Sequence, residues 1–341
     1  MTTVSVIIPA RNAAPWISDA ISSVATQTLA AGEIIVIDNA STDDTCAVVR
    51  QMQLSIAGLT LVRNQKDLGV AASRNIGIGR ATCDWIAFLD ADDWFAPNRL
   101  RRLTELGDRT GANIVADNQI FTLGPDAPPL RTLIATHGGE LEMIDIESFL
   151  RRDRFISVGN FGLLKPIFRR NFLQAVGIRY DEDPAITIGE DSLFYISCLI
   201  AGERILLTDE ALYFYRRHPA SLTHTIATDS VRVLVNKNRA LLAQLRAQAG
   251  TSLAEVLEQT IIDQDNIIAY FELVELVRRR RWRAALLCLL VNRRRTFFLV
   301  HRAMQGLISR ISERPLRHSI ANKIYARRSR SASFRSKSSP G

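Results

Sequence analysis

The sequence predicts an α/β fold in which a mostly parallel central sheet is flanked by helices and followed by a helical, basic C-terminal extension. Two observations support this prediction. From Val4 to Ala116, short apolar segments of strand length alternate with segments of helical periodicity, and such alternation is typical of a doubly wound parallel sheet. From Arg278 onward the chain carries a net charge of +17, whereas the preceding residues carry −9, so the basic residues belong to the extension.

Five apolar segments are predicted as strands, because they have strand length and end in turn-forming or charged residues. They are Val4–Pro9, Glu33–Asp38, Leu59–Arg63, Trp85–Leu89 and Asn113–Ala116. The helices between them are predicted over Pro15–Leu29, from near Thr42 onward, over Val70–Arg80 and from Pro97 to about Leu106. Ser41 is a suitable N-cap for the second helix, and Pro97 suits the first position of the fourth.

The alternation ends near Gly124, and the later elements follow a different pattern. Glu190–Ala201 is predicted as a helix, Arg204–Thr208 and Leu212–Arg216 as extended segments, and Asp229–Val277 as helical. The four cysteines are widely spaced and form no CxxC pair, which argues against a disulfide framework or a zinc site. The longest apolar run near the C-terminus, Ala284–Val291, is far shorter than the ~20 residues that span a bilayer.

The strongest chemical signal is an acidic cluster at the end of the fourth predicted strand. Asp90, Asp92 and Asp93 follow Trp85–Leu89 directly, and such a cluster is costly unless a cation or hydrogen-bond donors neutralise it. Side chains alternate along an extended segment, so Asp90 and Asp92 can face one ligand. The carboxyl ends of strands in open α/β sheets are where ligands bind.

Two further acidic groups stand at comparable positions. Asp38 ends the second predicted strand, and Glu190 and Asp191 begin a predicted helix after Gly189. Helix capping is the alternative interpretation for Asp38, and a favourable interaction of an N-terminal acidic residue with the helix dipole is the alternative for the Glu190–Asp191 pair. We favour capping for Asp43 and a structural role for Asp93.

Four segments in order and spacing resemble the family 2 glycosyltransferases of the GT-A fold, a Rossmann-like α/β fold. They are Ser5–Asn12, Glu33–Asp43, Gly69–Ala81 and Phe88–Asp93, and the resemblance extends over roughly residues 4–220. It implies that Pro9, Arg11 and Asp38 bind the nucleotide, with Asp38 accepting a hydrogen bond from the base. It also implies that Asp90 lies near the ribose.

The resemblance implies a metal and a catalytic base as well. Asp92 matches the ligand of a Mg²⁺ or Mn²⁺ ion that bridges the diphosphate of the donor. Asp191 matches the base that deprotonates the acceptor hydroxyl, with Glu190 as its supporting neighbour. Tyr215–Thr223 resembles the segment that closes the site, in which His218 would complete the metal coordination and Arg216 would contact phosphate. Arg74 is a further candidate for a nucleotide contact.

The resemblance extends to rhizobial exopolysaccharide glucosyltransferases of the succinoglycan type. It implies an inverting transfer of glucose from UDP-glucose to a lipid-linked oligosaccharide, with formation of a β-linkage. The corresponding domains are a glycosyltransferase domain over residues 1–225, divided into a nucleotide-binding half (1–120) and an acceptor half (121–225), a helical region over 226–325 and a disordered basic tail over 326–341.

Clustered arginines in the extension flank short apolar and aromatic segments, as in Arg278–Arg281 with Trp282 and in Arg293–Arg295 with Phe297. This pattern favours a helix on an anionic membrane surface, and thus a cytoplasmic enzyme that is peripheral on the inner face of the bacterial plasma membrane. A solvated helix or an acidic protein partner remains an alternative. Nucleic acid is not an expected partner, because the body is acidic and no recognition motif is present.

Two other functions compete with glycosyl transfer. A phosphotransferase or phosphatase of the haloacid-dehalogenase type also ends a strand in Asp-x-Asp, but there the motif follows the first strand and here it follows the fourth. A non-catalytic assembly subunit that only binds a sugar nucleotide is the second alternative, and the intact Asp38, Asp92 and Asp191 argue against it.

Overall fold

The computed structural model describes residues 2–153, 160–218, 227–246 and 250–290. The chain divides into two compact units, Met1–Gln264 and Asp265–Gly341. The predicted segments from Pro219 to Thr223, around Arg293–Arg295 and in the basic tail lie outside the described residues.

The first unit contains ten described strands. They are β1 (Val4–Ala10), β2 (Glu33–Asp38), β3 (Leu59–Arg63), β4 (Trp85–Phe88), β5 (Trp94–Phe95), β6 (Ile114–Thr122), β7 (Arg131–Thr132), β8 (Leu141–Ile144), β9 (Ile167–Arg169) and β10 (Ile205–Arg216). The described helices are α1 (Ile17–Ala25), α2 (Thr45–Gln53), α3 (Gly69–Arg80), α4 (Arg99–Thr110), α5 (Ile146–Arg152), α6 (Arg170–Val176), α7 (Glu190–Ile200), α8 (Thr228–Ala243), α9 (Thr251–Arg278) and α10 (Trp282–Leu290).

All of the strands belong to one sheet with the order β3-β2-β1-β4-β9-β6-β10-β5, to which β7 adds beside β6 and β8 beside β10. β3, β2, β1 and β4 are parallel, as expected. β9 runs antiparallel to both β4 and β6, so the sheet as a whole is mixed. The parallel part brings the carboxyl ends of β1, β2 and β4 to one edge, where the predicted site residues lie.

The sheet has an apolar core on each face. Val4, Val6 and Ile8 of β1 pack in one buried cluster with residues of α1 and α4, whereas Ile7 belongs to a second cluster that includes Ile78 of α3. Alternate residues of a strand point to opposite faces, so a strand covered on both faces is apolar throughout. This explains why β1 is a continuous apolar run in the sequence.

Two predicted helix starts were wrong. α2 begins at Thr45 with Asp44 as the N-cap residue, and Ser41 instead accepts a hydrogen bond from the backbone N–H of Asn12 at 2.9 Å. α4 begins at Arg99. Pro97 precedes the helix because its carbonyl accepts a hydrogen bond from Thr28 N–H at 2.8 Å. In both cases a contact with a distant loop displaces the local capping arrangement.

Two longer elements also differ from the expectation. The extended segments predicted around residues 204–216 form the single strand β10, whose register with β6 is irregular between Leu207 and Tyr213. The helix predicted over Asp229–Val277 is divided into α8 and α9, and Gly250 immediately precedes α9, consistent with the low helix propensity of glycine.

In the second unit, the described residues are the end of α9 and α10. Ala269, Leu273 and Ala285 form a small buried cluster there. Trp282, Leu286 and Leu287 of α10 are 62%, 60% and 61% exposed, and Arg278–Arg281 and Arg283 are exposed beside them. Among the residues that the structure describes, no helix is long and apolar enough to cross a membrane.

The contact between α3 and β1 gives a prediction for stability. A Cβ at Gly77 would overlap Cγ2 of the buried Ile7, whereas a Cβ at Gly79 meets no atom within 4 Å. We expect Gly77→Ala to lower the free energy of unfolding by about 1–3 kcal/mol, because a β-branched core side chain has little freedom to move away. The matched variant Gly79→Ala should raise it by up to about 1 kcal/mol. Urea unfolding of the full chain measures both, and equal stabilities of the two variants would contradict the packing argument.

Candidate active site

The end of β2 carries a buried carboxylate beside an open pocket. Asp38 is fully buried; its Oδ2 accepts a hydrogen bond from Ser41 N–H at 3.3 Å and lies 3.5 Å from Nε of Arg63. Its Oδ1 has no hydrogen-bond partner among the described residues. Arg63 also lines a pocket of about 310 Å³, together with Ala40, Asn64 and Gln65. The Cys46 thiol lies beside the carboxylate as well: burial, with a further contribution from Asp38, raises the pKa of that thiol.

The loop after β1 lies against the loop after β2. Pro9 is buried in β1 opposite Ile37, and Arg11, which is half-exposed, forms an ion pair with Asp67. Asn12 has a positive φ of 49°, and its Oδ1 accepts a hydrogen bond from Thr42 N–H at 2.9 Å. The ends of β1 and β2 therefore bring Pro9, Arg11 and Asp38 to the same edge of the sheet.

The end of β4 carries Asp92, whose side chain is directed to His218. Nε2 of His218 is 2.8 Å from Oδ2 of Asp92, and the imidazole stacks on the Trp16 ring with 4.2 Å between the ring centroids. Nδ1 of His218 is buried and has no hydrogen-bond partner among the described residues. The two predicted metal ligands are thus neighbours, although they are 126 positions apart in the sequence.

The chemistry of this pair fits a divalent cation. One carboxylate and one imidazole are suitable donors for Mn²⁺ or Mg²⁺, and such ions normally take further oxygen ligands from substrate phosphates and water. The described residues contain no group of three or more His, Cys, Asp or Glu side chains that would hold a metal without a substrate.

Asp93 is turned inward and is part of the structure of the site. Its carboxylate accepts hydrogen bonds from the Tyr213 hydroxyl at 2.8 Å and from the backbone N–H of Arg216 at 2.7 Å. Burial raises the pKa of Asp93 well above its ordinary value, and the nearby Asp92 and Asp90 carboxylates add to this. This geometry agrees with the structural role predicted for Asp93.

Arg216 is buried at the end of β10 and has partners within the protein. It donates from Nε to the Asp92 carbonyl and from Nη2 to the Asp19 carboxylate, each at 2.7 Å. Its guanidinium also lies over the Trp94 ring. These contacts position the backbone of Asp92 and hold the Arg216 side chain in place. The phosphate contact predicted for Arg216 would be made from this fixed side chain.

Below the sheet edge, two cations and three carboxylates form one ion-pair network, which we call the buried ion cluster: Arg74, Lys165, Asp90, Glu190 and Asp191. Nη1 of Arg74 is 2.8 Å from Glu190 and 2.9 Å from Asp191, and its Nη2 is 2.9 Å from Asp90. Nζ of Lys165 is 2.6 Å from Asp191 and 3.0 Å from Asp90. Arg74 is only 2% exposed, so its predicted role at the nucleotide would be exerted through Asp90.

The pairing in the buried ion cluster overcomes the cost of burial. Burial alone would raise the pKa of Asp90, but Lys165 and Arg74 hold that pKa well below its ordinary value. Burial would likewise lower the pKa of the Lys165 ammonium, but Asp191 and Asp90 raise it above its ordinary value. Both groups therefore keep their charges at neutral pH, because an opposite charge nearby favours the charged form.

The start of α7 is placed by a close approach of α8. Gly189 precedes the helix with φ of 76°, a backbone conformation that favours glycine. A Cβ there would lie 2.6 Å from Cδ2 of Leu234 in α8. This contact fixes the first turn of α7, which carries Glu190 and Asp191.

The sequence analysis missed two residues of this site. Lys165 is a single cation in an otherwise apolar stretch from Phe161 to Phe168, a pattern that indicates a buried charge with partners. Trp16 follows Pro15 just before α1, and no sequence pattern connects it with His218.

Comparison with known proteins identifies the family. The sequence profile of glycosyl transferase family 2 matches residues 5–172. The succinoglycan biosynthesis protein ExoO of Rhizobium meliloti (strain 1021) is 33% identical over 256 residues, which cover 75% of this chain and 71% of that protein. ExoU of the same organism is also 33% identical over 256 residues, with 74% and 73% covered. The chain belongs to the family 2 glycosyltransferases.

Solved structures confirm the GT-A fold of this glycosyltransferase. The crystal structure of S. aureus TarS 1-349 in complex with UDP-GlcNAc superimposes with a TM-score of 0.59 and 19% identity, covering 81% of this chain and 73% of that one. The complex of the same fragment with UDP has a TM-score of 0.56. Because it belongs to this family, the protein is an enzyme of the glycosyltransferase class. Members of the family typically use a divalent metal. The phosphotransferase interpretation of the Asp-x-Asp motif is therefore wrong.

Proposed function

We propose that this glycosyltransferase transfers glucose from UDP-glucose to a lipid-linked oligosaccharide in exopolysaccharide biosynthesis of the succinoglycan type, with inversion and formation of a β-linkage. The observation that carries the proposal is a set of three acidic groups at the ends of β2 and β4 and at the start of α7. They are the buried Asp38 carboxylate, the Asp92–His218 pair, and the Asp191 carboxylate, which Lys165 connects to Asp90.

The Asp38 carboxylate and its neighbour Arg63 support a uridine nucleotide as donor. Uracil presents one N–H that can donate to a carboxylate, and Arg63, which pairs with Asp38, lines the pocket beside the end of β2. Family relatives of the same fold have been crystallised with UDP and UDP-GlcNAc. Arg11 follows β1 directly and its side chain is half-exposed. Its positive charge would attract a diphosphate.

Asp92 and His218 would hold the divalent ion. When bound there with the donor, Mg²⁺ or Mn²⁺ would neutralise charge on the diphosphate leaving group. Arg216 fixes the Asp92 backbone and Trp16 fixes the His218 ring, so the protein orients both ligands before the donor arrives.

Asp191 would act as the base, with Glu190 keeping Arg74 in place beside it. The hydroxyl oxygen of the acceptor forms a bond to the anomeric carbon, the hydroxyl proton passes to the Asp191 carboxylate, and UDP departs with the electrons of the broken bond. A single displacement inverts the anomeric centre, so an α-linked donor gives a β-linked product.

The relatives and α10 support the acceptor and the location. Two relatives are named for succinoglycan biosynthesis. In α10, Trp282 and Leu286 are four residues apart and are therefore neighbours on the helix surface. Both are exposed, as is Leu287, next to a run of exposed arginines. An apolar helix face with adjacent arginines is typical of a helix in the interface of an anionic membrane. The enzyme would then act from the cytoplasmic face on a lipid-linked acceptor.

Calorimetric titration with uridine, guanosine and adenosine diphosphate sugars tests the donor and the metal together. We expect UDP-glucose to bind, and to bind more tightly in the presence of Mn²⁺. Asp38→Asn should weaken binding by about 10- to 100-fold, because a hydrogen bond to a charged acceptor is lost. Asp229→Asn changes an exposed carboxylate that pairs with Arg232 of the same helix and should leave the affinity unchanged. Equal affinity for adenosine nucleotides would contradict the proposed pocket.

Transfer of radiolabelled glucose to a bacterial lipid extract tests catalysis. Asp191→Asn and Asp92→Asn should each lower transfer by about 100-fold or more, while Asp191→Asn retains UDP binding. Nuclear magnetic resonance of the product should show a β-linkage. An α-linked product, or near-native transfer by Asp191→Asn, would overturn the mechanism. UDP binding by the wild type with no transfer to any extract would favour the non-catalytic alternative.

Vesicle sedimentation tests the membrane contact. The full chain should sediment with vesicles of phosphatidylcholine and phosphatidylglycerol and much less with phosphatidylcholine alone. Changing Trp282, Leu286 and Leu287 together to Ser should lower the partition coefficient by at least about tenfold, because the apolar face is removed. Leu54→Ser, at an exposed leucine of the first unit, is the control and should have no effect. A triple variant that sediments like the wild type would refute membrane docking through α10.

A further inference from the structure

We propose that Lys165 is a positioning residue that holds Asp191 in a fixed orientation relative to Asp90, and thereby sets the distance between the base and the donor side of the site. This inference rests on the proposed function, because it assigns Lys165 a role through the base. The comparisons assign no role to this lysine.

The backbone around Lys165 is held by side-chain hydrogen bonds. Three successive carbonyls accept hydrogen bonds from side chains of different elements: Leu163 from Gln119, Leu164 from the Tyr195 hydroxyl, and Lys165 from Nη2 of Arg99, at 2.5, 2.6 and 2.5 Å. Such bonds satisfy a stretch of chain that lies outside a regular ladder. The segment before β9 is therefore fixed to β6, α7 and α4 together.

Arg99 is itself immobilised. Its Nε and Nη2 donate to the Asp117 carboxylate at 2.9 and 2.7 Å, and both side chains are fully buried. The guanidinium also lies over the Phe95 ring, with 4.2 Å to its centroid. A buried, doubly bonded ion pair of this kind has a single geometry, so the Lys165 carbonyl has a rigid anchor.

The side chain of Lys165 contacts both Asp191 and Asp90. Nζ donates to Oδ2 of Asp191 at 2.6 Å and lies 3.0 Å from Oδ2 of Asp90, and the side chain is 7% exposed. Asp90 follows β4, at the donor edge, and Asp191 is on α7. An ammonium has three donors, so one group can bridge the two carboxylates and fix their separation.

The bridge also decides which oxygen of the base is engaged. Lys165 occupies Oδ2 of Asp191, whereas Oδ1 is 2.9 Å from Nη1 of Arg74 and accepts no hydrogen bond of normal geometry among the described residues. Each oxygen of the Asp191 carboxylate therefore has its own cation, and the two contacts together define the orientation of the carboxylate. Without the ammonium, Oδ2 loses its donor and Arg74 alone faces three acidic groups.

A positioning role is separable from a merely structural one by kinetics. Lys165→Met keeps the length of the side chain but removes the ammonium, and Lys165→Arg keeps the charge. Lys237→Met is the matched control, because Lys237 also bridges two carboxylates, Asp181 and Asp183 at 2.9 and 3.4 Å, but lies outside the buried ion cluster. Each variant is measured as the full chain for kcat, for the KM of UDP-glucose and for UDP affinity by calorimetry.

We expect Lys165→Met to lower kcat by about 100-fold, the cost of misplacing a catalytic group by about 1 Å. The KM of UDP-glucose and the affinity for UDP should stay within about threefold, since ground-state binding is not removed. Lys165→Arg should recover at least about tenfold of the lost kcat by restoring the cation, and Lys237→Met should match the wild type.

Two results would overturn the inference. One is a kcat of Lys165→Met within about threefold of wild type. The other is a loss of kcat that is matched by loss of UDP affinity and is not recovered by Lys165→Arg, which marks a structural lysine. Failure of the proposed function gives a different result: either the wild type itself transfers no glucose, or Asp191→Asn transfers glucose as well as the wild type does.

Discussion

The site of this glycosyltransferase depends on charge neutralisation in the buried ion cluster. Three carboxylates from two elements share two cations, and Arg74 and Lys165 are almost completely excluded from water. A buried charge is tolerated only when it is paired and hydrogen-bonded, and removal of one partner from such a network costs more than its pairing contributes. The position of Asp90 on the donor side and that of Asp191 on the acceptor side are therefore not independent of each other.

The donor edge depends in a similar way on the end of β10. Tyr213 and Arg216 hold Asp93 inward, and Arg216 also binds the backbone of Asp92 and the Asp19 carboxylate. His218 follows within two residues and is stacked on Trp16. β10 thus orients the aspartates that follow β4. Its donors hold the Asp93 carboxylate in the interior and fix the backbone of Asp92, whose side chain is directed to His218.

Local patterns in the sequence were sufficient for β1 to β4, for β6 and β10 and for the acidic positions, whereas the short strands β5, β7, β8 and β9 were not predicted. β1 to β4 are apolar runs with abrupt polar ends, and the resemblance to the family placed Asp38, Asp92 and Asp191 on those ends or on a helix start, where the structure has them. The contacts that could not be predicted join residues far apart in the chain. Lys165 meets Asp90 across the sheet, and Ser41 meets Asn12 instead of capping α2. The hydrophobic periodicity of the sequence does not indicate such pairings, because they depend on how β9 and the loops are placed in the fold.

Gly189 connects α7, the helix of the proposed base, with α8, to which no role in the proposed chemistry is assigned. Its missing side chain admits Leu234 of α8, which forms a small apolar cluster with Ile186 and Leu193. A fragment that stopped at residue 225 would keep every acid assigned to the chemistry, yet it would leave the first turn of α7 facing water instead of this leucine. A fragment sufficient for activity should therefore include α8, because packing of Leu234 supports the first turn of α7, which carries the proposed base.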